Sequence, residues 1–288
     1  MRAIFLKEFK SYFKSPLGYA YMAFMLVIFG FYFFVYCLYQ QTANYSYVLS
    51  GITNLIVFAM PILTMRLMSE EMKNKTDQLL LTSPVKTYQI VLGKYLAAVA
   101  LFAISLLLTV PQPLTIVGLG GTLPVEQVVG AYIGFFLMGC VLIGMGIFIS
   151  SLTDNQLVAC ISTIAVFLLI FLTDGIGSIL PTDRVFAMAS CIVVLAIVIF
   201  LIYRAIRDIY LSGIIGILGL AAVIILYFVK PTVYDGLVAN VLDWLSILTR
   251  YYDFYTGIFD FSHIVYYLTL TAFFVFLTVQ MVEKRRWS

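Results

Sequence analysis

Long apolar runs separated by brief polar punctuation make up most of the chain. Runs close to the roughly 20 residues that a bilayer asks of a helix occupy 17–38, 51–65, 90–117, 128–149, 157–180, 185–203, 209–229 and 263–282. This pattern predicts an all-α polytopic membrane protein of about eight transmembrane helices. The second run is short and carries Asn54 and Pro61, which predicts a kink near its inner end. Pro111 and Pro113 interrupt the third near its outer end. The fourth carries Gly130, Gly134, Gly139, Gly144 and Gly146, and the seventh Gly213, Gly216 and Gly219, spacings that let helix backbones approach closely in lipid. Asp174, near the outer end of the fifth, either lines a pathway or is a solvated helix-end carboxylate.

The polar flanks have patterns of their own. Residues 1–16 put Phe5, Leu6, Phe9, Tyr12 and Phe13 on one side of a helix and Lys7, Lys10 and Lys14 on the other, as in a helix lying in the headgroup layer and facing anionic lipid. Pro16 marks its end. Residues 40–50 form a short outer loop, and in the turn 150–156 either Asp154 or Ser151 caps the next helix. From 230 to 262 apolar positions such as Leu237, Val241, Trp244 and Leu248 alternate with Asp235, Asp243 and Arg250, predicting one or two amphipathic helices in the outer interface. The chain thus divides into an interfacial helix (1–16), spans one to five with a polar loop (17–180), spans six and seven (185–229), the amphipathic segment (230–262), and a last span with a basic tail (263–288).

Composition agrees with this reading. The 288 residues are 63% hydrophobic, against the roughly 45–50% of soluble domains, and the mean hydropathy is +1.06. The net charge of +3 is not gathered into a nucleic-acid footprint. In the eight-span arrangement, 14 basic residues fall on inner segments and three (Arg184, Lys230, Arg250) on outer ones, a bias that places both termini in the cytoplasm. The four cysteines all lie within predicted spans, with no disulfide or zinc spacing. A single histidine, His263, rules out an HExxH metalloprotease, and no GxxxxGK[ST] phosphate loop occurs. The central parts of the spans are almost free of the ionisable residues that mark many secondary transporters. If ATP powers this protein, another chain binds it.

One stretch stands apart. Residues 66–94, RLMSEEMKNKTDQLLLTSPVKTYQIVLGK, hold eight charges in a chain that is only 11% charged. The segment permits a helix to about Leu81, is broken at Ser83-Pro84, and restarts near Val85 with Ser83 as cap and Pro84 in the first turn. Read from its residues alone, it is either a short helix offered to a partner or a solvated connector.

The run EEMKNKTDQLLLTSPVKTYQIVLGKYLA resembles the signature of ABC-2 type transporter permeases: an acidic pair, a threonine, a leucine run, then TSPV and a GK-hydrophobic helix start. It departs from that pattern at Lys75, where the family commonly has glycine. The segment LSILTRYYDFYTGIFDFSHIVYYLTLTAFFVFLTVQMVEKRRW looks like the last outer loop and final span of the gliding-motility GldF and NosY-like branch.

The resemblance implies a type V ABC exporter-like core in a dimer with an identical or related permease, at the cell membrane and powered by separate ATPase subunits that bind ATP and Mg. It makes Glu70, Glu71, Lys73, Lys75, Thr76, Asp77 and Leu80 the coupling helix, and the helix of Lys7, Lys10 and Lys14 the connecting helix. It nominates Asn54, Phe58 and Thr163 for the pathway, and Trp244, Arg250, Tyr251 and Asp253 for an outer gate or a dock for an accessory protein. No catalytic residue, metal ligand or cofactor of its own is expected. Two rival readings are a scaffold that anchors an ATPase without transport, and an intramembrane enzyme.

Overall fold

Pro16 sets the first boundary: its missing N–H costs little in the first turn of a helix, and it follows an extended Ser15. The computed structural model describes residues 1–76, 85–179, 183–206, 227, 229 and 234–287. It places α1 (Arg2–Lys14) before Pro16 and α2 (Pro16–Phe33) from it, with a π-helical extension over Phe34–Tyr39. Then come α3 (Ser46–Thr53), α4 (Ile56–Thr64), α5 (Ser69–Lys73), α6 (Thr87–Leu107), α7 (Pro111–Gly118), α8 (Val125–Ser150), α9 (Gln156–Ile179), α10 (Arg184–Ile206), α11 (Leu237–Leu245), α12 (Ile247–Thr256) and α13 (Phe261–Trp287). No strand occurs among the described residues.

Among the described residues, five helices are long and apolar enough to cross a membrane: Pro16–Tyr39, Thr87–Gly118, Val125–Ser150, Gln156–Thr173 and Phe261–Arg285. A sixth span results if the bent pair Ser46–Thr53 and Ile56–Lys73 is counted as one. The chain is thus an all-α polytopic membrane protein. Arg184–Ala196 is a shorter apolar helix, and the seventh expected span, 209–229, lies outside the described residues but for Tyr227 and Val229. So do the Ser83-Pro84 cap and Gly213, Gly216 and Gly219.

Three local expectations are corrected. The second span bends by 67° at Asn54–Leu55, ahead of Pro61, which sits inside the continuous helix α4. The loop after α2 is shorter than 40–50 because α3 begins at Ser46, where the Asn44 side chain accepts the Ser46 N–H at 3.0 Å. At the start of α9 the cap is Asn155, whose Oδ1 accepts the Leu157 N–H at 2.9 Å, rather than Asp154 or Ser151.

The chain forms two units, 1–169 with 247–288, and 170–246. In the first unit, α8 is the central helix: 78% of its most apolar window is buried, against 22% for α2 and 17% for α13, so the latter two keep most of their apolar surface for lipid. Its glycines are where neighbours enter. Gly130 and Gly134 meet Phe254 of α12, Gly139 the ring of Phe102 of α6, and Gly146 Thr64 of α4. Close packing through small residues is therefore realised on several sides of one helix. Tyr267 of α13 completes this region by donating its hydroxyl to the Ile247 carbonyl at 2.7 Å.

In the second unit, Arg184 at the start of α10 holds Asp235, in the turn before α11, in an exposed bidentate pair, Nε to Oδ1 at 2.5 Å and Nη2 to Oδ2 at 3.0 Å. That hydrogen bonding holds the Asp235 carboxyl below the ordinary carboxylate range.

Candidate functional site

The charged stretch of the sequence folds back on the protein at the end of the bundle where α1, α5 and the start of α6 meet. Helix α5 is only five residues long, so it relies on groups outside itself. Ser150, the last residue of α8, supplies them: its hydroxyl accepts the N–H groups of Met68 and Ser69, each at 3.2 Å, and donates to the Met65 carbonyl at 2.9 Å. Glu70 and Glu71 in the first turn and Lys73 in the last complement the helix dipole. The helix ends in a Schellman motif, with Thr76 N–H donating to Glu71 O at 3.0 Å and Lys75 N–H to Met72 O at 3.1 Å. Lys75 holds the left-handed position of that motif, φ 55°, the conformation that glycine adopts without strain. The departure at Lys75 therefore falls where the backbone asks for glycine.

Lys94 lies at the centre of this junction. It enters from the second turn of α6 and is 1% exposed, the one charged side chain among the described residues that is fully buried. Its ammonium donates to the Leu67 carbonyl at 2.6 Å and pairs with Glu71 of α5 at 3.0 Å and Glu8 of α1 at 3.5 Å. A buried cation is tolerated only when paired and hydrogen-bonded, and these three acceptors meet that need. Lys7, mostly exposed, lies 3.7 Å from Glu71 and 3.8 Å from Glu8.

Arg66 makes a second tie between the same elements. Its guanidinium donates to Ser11 at 3.1 Å and Ser15 at 3.3 Å, pairs with Glu70 at 3.5 Å, and lies over the Tyr12 ring at 5.3 Å. Tyr12, expected on the lipid-facing side of α1, is instead turned inward and buried, with its hydroxyl toward the Leu63 carbonyl at 3.4 Å. Burial pushes its phenol well above the ordinary value, although Arg66 pulls the other way. Phe5, Phe9 and Phe13 form a half-buried aromatic ladder along α1 that continues to Tyr19. At Gly93, the absence of a side chain admits Ile4 of α1 against α6. A cavity of about 210 Å³ remains between the three elements, bordered by Lys7, Glu8, Arg66, Glu70, Glu71 and Lys94. Arg285 of α13 reaches the same place and touches the Met72 sulfur.

Of the residues singled out in the sequence, Glu71 faces inward into this cluster, while Lys73, Lys75 and Thr76 are exposed and Glu70 is half-exposed. Asp77 and Leu80 lie outside the described residues. Lys10 and Lys14 are exposed on α1. Asn54 and Phe58 are exposed on either side of the bend, whereas Thr163 is fully buried with its hydroxyl on the Ala159 carbonyl at 2.6 Å. Tyr251 is buried in the first unit, where an Asp253 carboxylate oxygen lies 3.5 Å from His263 Nδ1 and Arg250 stacks on Tyr266 at 3.7 Å. Trp244 is exposed in the second unit.

The sequence reading passes over Glu8 and Ser150 and takes Arg66 and Lys94 only as charges at the two ends of the stretch 66–94, although all four build the cluster. For Lys94 a signal existed: a lone lysine two turns inside an apolar helix is costly unless something pairs with it. Among the described residues no group of acids, histidines and cysteines is placed to hold a metal.

A family model described as ABC-2 family transporter protein matches residues 7–230. No curated protein and no solved structure matches the chain.

Proposed function

This chain belongs to the ABC-2 transporter family and is a membrane-spanning permease component of an ABC transporter, and from that premise we propose that it is the permease half of an exporter driven by a separate ATPase subunit. The observation that carries the coupling role is the anchoring of α5. A five-residue helix is tied to α1, α6 and α8 through Glu71, Lys94 and Ser150, while Lys73, Lys75 and Thr76 stay exposed. Such an element is seated against the spans behind it and passes a push on to them. It suits the reception of a push from an ATPase that closes on ATP, and needs only two packings of the bundle a few kcal/mol apart.

In this reading α1 is the connecting helix, and both termini face the cytoplasm at the plasma membrane. Substrate passes between this permease and a second copy or a relative, with Asn54, Phe58 and Thr163 on the pathway. The segment of α11 and α12, with Trp244, Arg250, Tyr251 and Asp253, covers the exit or receives an accessory protein. ATP and Mg are bound by the partner. The resemblance of the C-terminal segment supports a place in the GldF and NosY-like branch.

The test is purification of the tagged chain from its native membrane. A P-loop ATPase is expected in the complex, and Lys73→Glu with Lys75→Glu is expected to release it while the permease stays inserted. Capture of no ATPase by the unaltered chain would defeat the proposal.

A further inference from the structure

The Lys94 ammonium is shared between carboxylates on two different helices. Glu71 at 3.0 Å and the Leu67 carbonyl at 2.6 Å are its close acceptors, and Glu8 stands farther off, at 3.5 Å, on α1. Glu71 and the Leu67 carbonyl both belong to the segment running through α5, whereas Glu8 belongs to α1. A displacement of α5 therefore removes both close acceptors at once and would strand a cation that is 1% exposed. A buried charge without a partner resists such a displacement strongly. Glu8 lies close enough to take over the ammonium as Glu71 leaves, and Lys7, 3.7 Å from Glu71 on the outer side, is placed to receive the carboxylate that departs.

Resting on the coupling role proposed for α5, we infer that Glu8 is a positioning residue for the transport cycle: it acts through Lys94 as the alternative acceptor that lets the coupling helix move without leaving a bare charge in the protein. The four residues Lys7, Glu8, Glu71 and Lys94 form an exchange of partners in which each charge has a counterpart before and after the movement. The cavity of about 210 Å³ among them gives the side chains room to change places. Glu8 matters chiefly to the displaced arrangement, because removing its charge leaves the two closest contacts of Lys94, Glu71 and the Leu67 carbonyl, in place.

The test is ATP turnover by the purified complex of the permease with its ATPase in lipid nanodiscs, comparing Glu8→Gln, Glu8→Asp, Lys94→Met and the double variant Lys94→Met/Glu8→Gln. Glu8→Gln is expected to assemble normally and to lower kcat about tenfold, the scale of one lost charge-assisted bond, with KM for ATP unchanged, and Glu8→Asp to restore most of the rate. With no ammonium to strand, Glu8→Gln is expected to cause no further loss in the Lys94→Met background. Wild-type turnover by Glu8→Gln would overturn the inference. So would an equal loss from Glu8→Gln in both backgrounds, or loss of the complex in Glu8→Gln that Lys94→Met does not relieve. Failure of the unaltered chain to bind any ATPase would be seen before variants are compared, and would remove the coupling role itself.

Discussion

Gly134 of α8 receives Phe254 of α12 so closely that a methyl group at Gly134 would lie 2.6 Å from the Phe254 Cβ. The obstruction is the root of the aromatic side chain, which cannot swing aside as a flexible tip would. One turn away, Gly130 meets the Phe254 carbonyl. The segment before the last span is thus seated in α8 by the lack of two side chains. Gly134→Leu is expected to cost about 1–3 kcal/mol through overpacking, read as a lower melting temperature of the purified protein in detergent. Wild-type melting would show that α12 does not sit there.

Lys75 and Gly257 do the same job at two helix ends. Gly257, φ 89°, follows α12 and donates to Phe254 O at 3.1 Å while Ile258 donates to Asp253 O at 2.9 Å, the same pair of bonds that Lys75 and Thr76 make after α5. Only the residue in the left-handed position differs. Lys75→Gly is expected to relieve about 1 kcal/mol of backbone strain, seen as slower proteolysis at the end of α5. If protease nicking there is unchanged or faster, the motif does not govern that turn.

The charge asymmetry of the chain makes an orientation that chemical labelling can check. Single cysteines at Lys10 and Lys284 are expected to react with a membrane-impermeant maleimide only after the membrane is opened, and one at Trp244 to react in intact cells. These sites suit the experiment because all three side chains are exposed. Labelling of Lys10→Cys in intact cells would invert the topology and with it the side on which α5 meets an ATPase.

What could be read from the residues was whatever depends on local periodicity. The runs 128–149 and 157–180 became helices with ends within a few residues of expectation, Pro16 opened α2 as its missing N–H suggests, and the glycines of α8 became contact points. Misreadings arose where a distant group decides. The bend at Asn54–Leu55 was assigned to Pro61 because proline is the local breaker, but α4 keeps Pro61 inside an otherwise regular helix. Tyr12 looked like part of a lipid face because its position on the helical wheel adjoins the phenylalanines. Its burial depends on Arg66 and Leu63, some fifty residues away. The cluster itself is half visible: Glu71 and Lys94 both lie in the charged stretch 66–94, while Glu8 reaches them from another helix and leaves no pattern in that stretch.

Ser150 ends α8 and holds the first N–H groups of α5, so the length of the central helix is itself a specification. One residue added within α8 would turn Ser150 by about 100° and carry it about 1.5 Å along the axis, parting its hydroxyl from Met65, Met68 and Ser69 while leaving every side chain of α8 chemically intact. Lineages that carry this arrangement are therefore expected to vary freely in which apolar residues coat their helices. Their count of residues from the glycines that seat α12 to the serine that seats α5 should stay fixed.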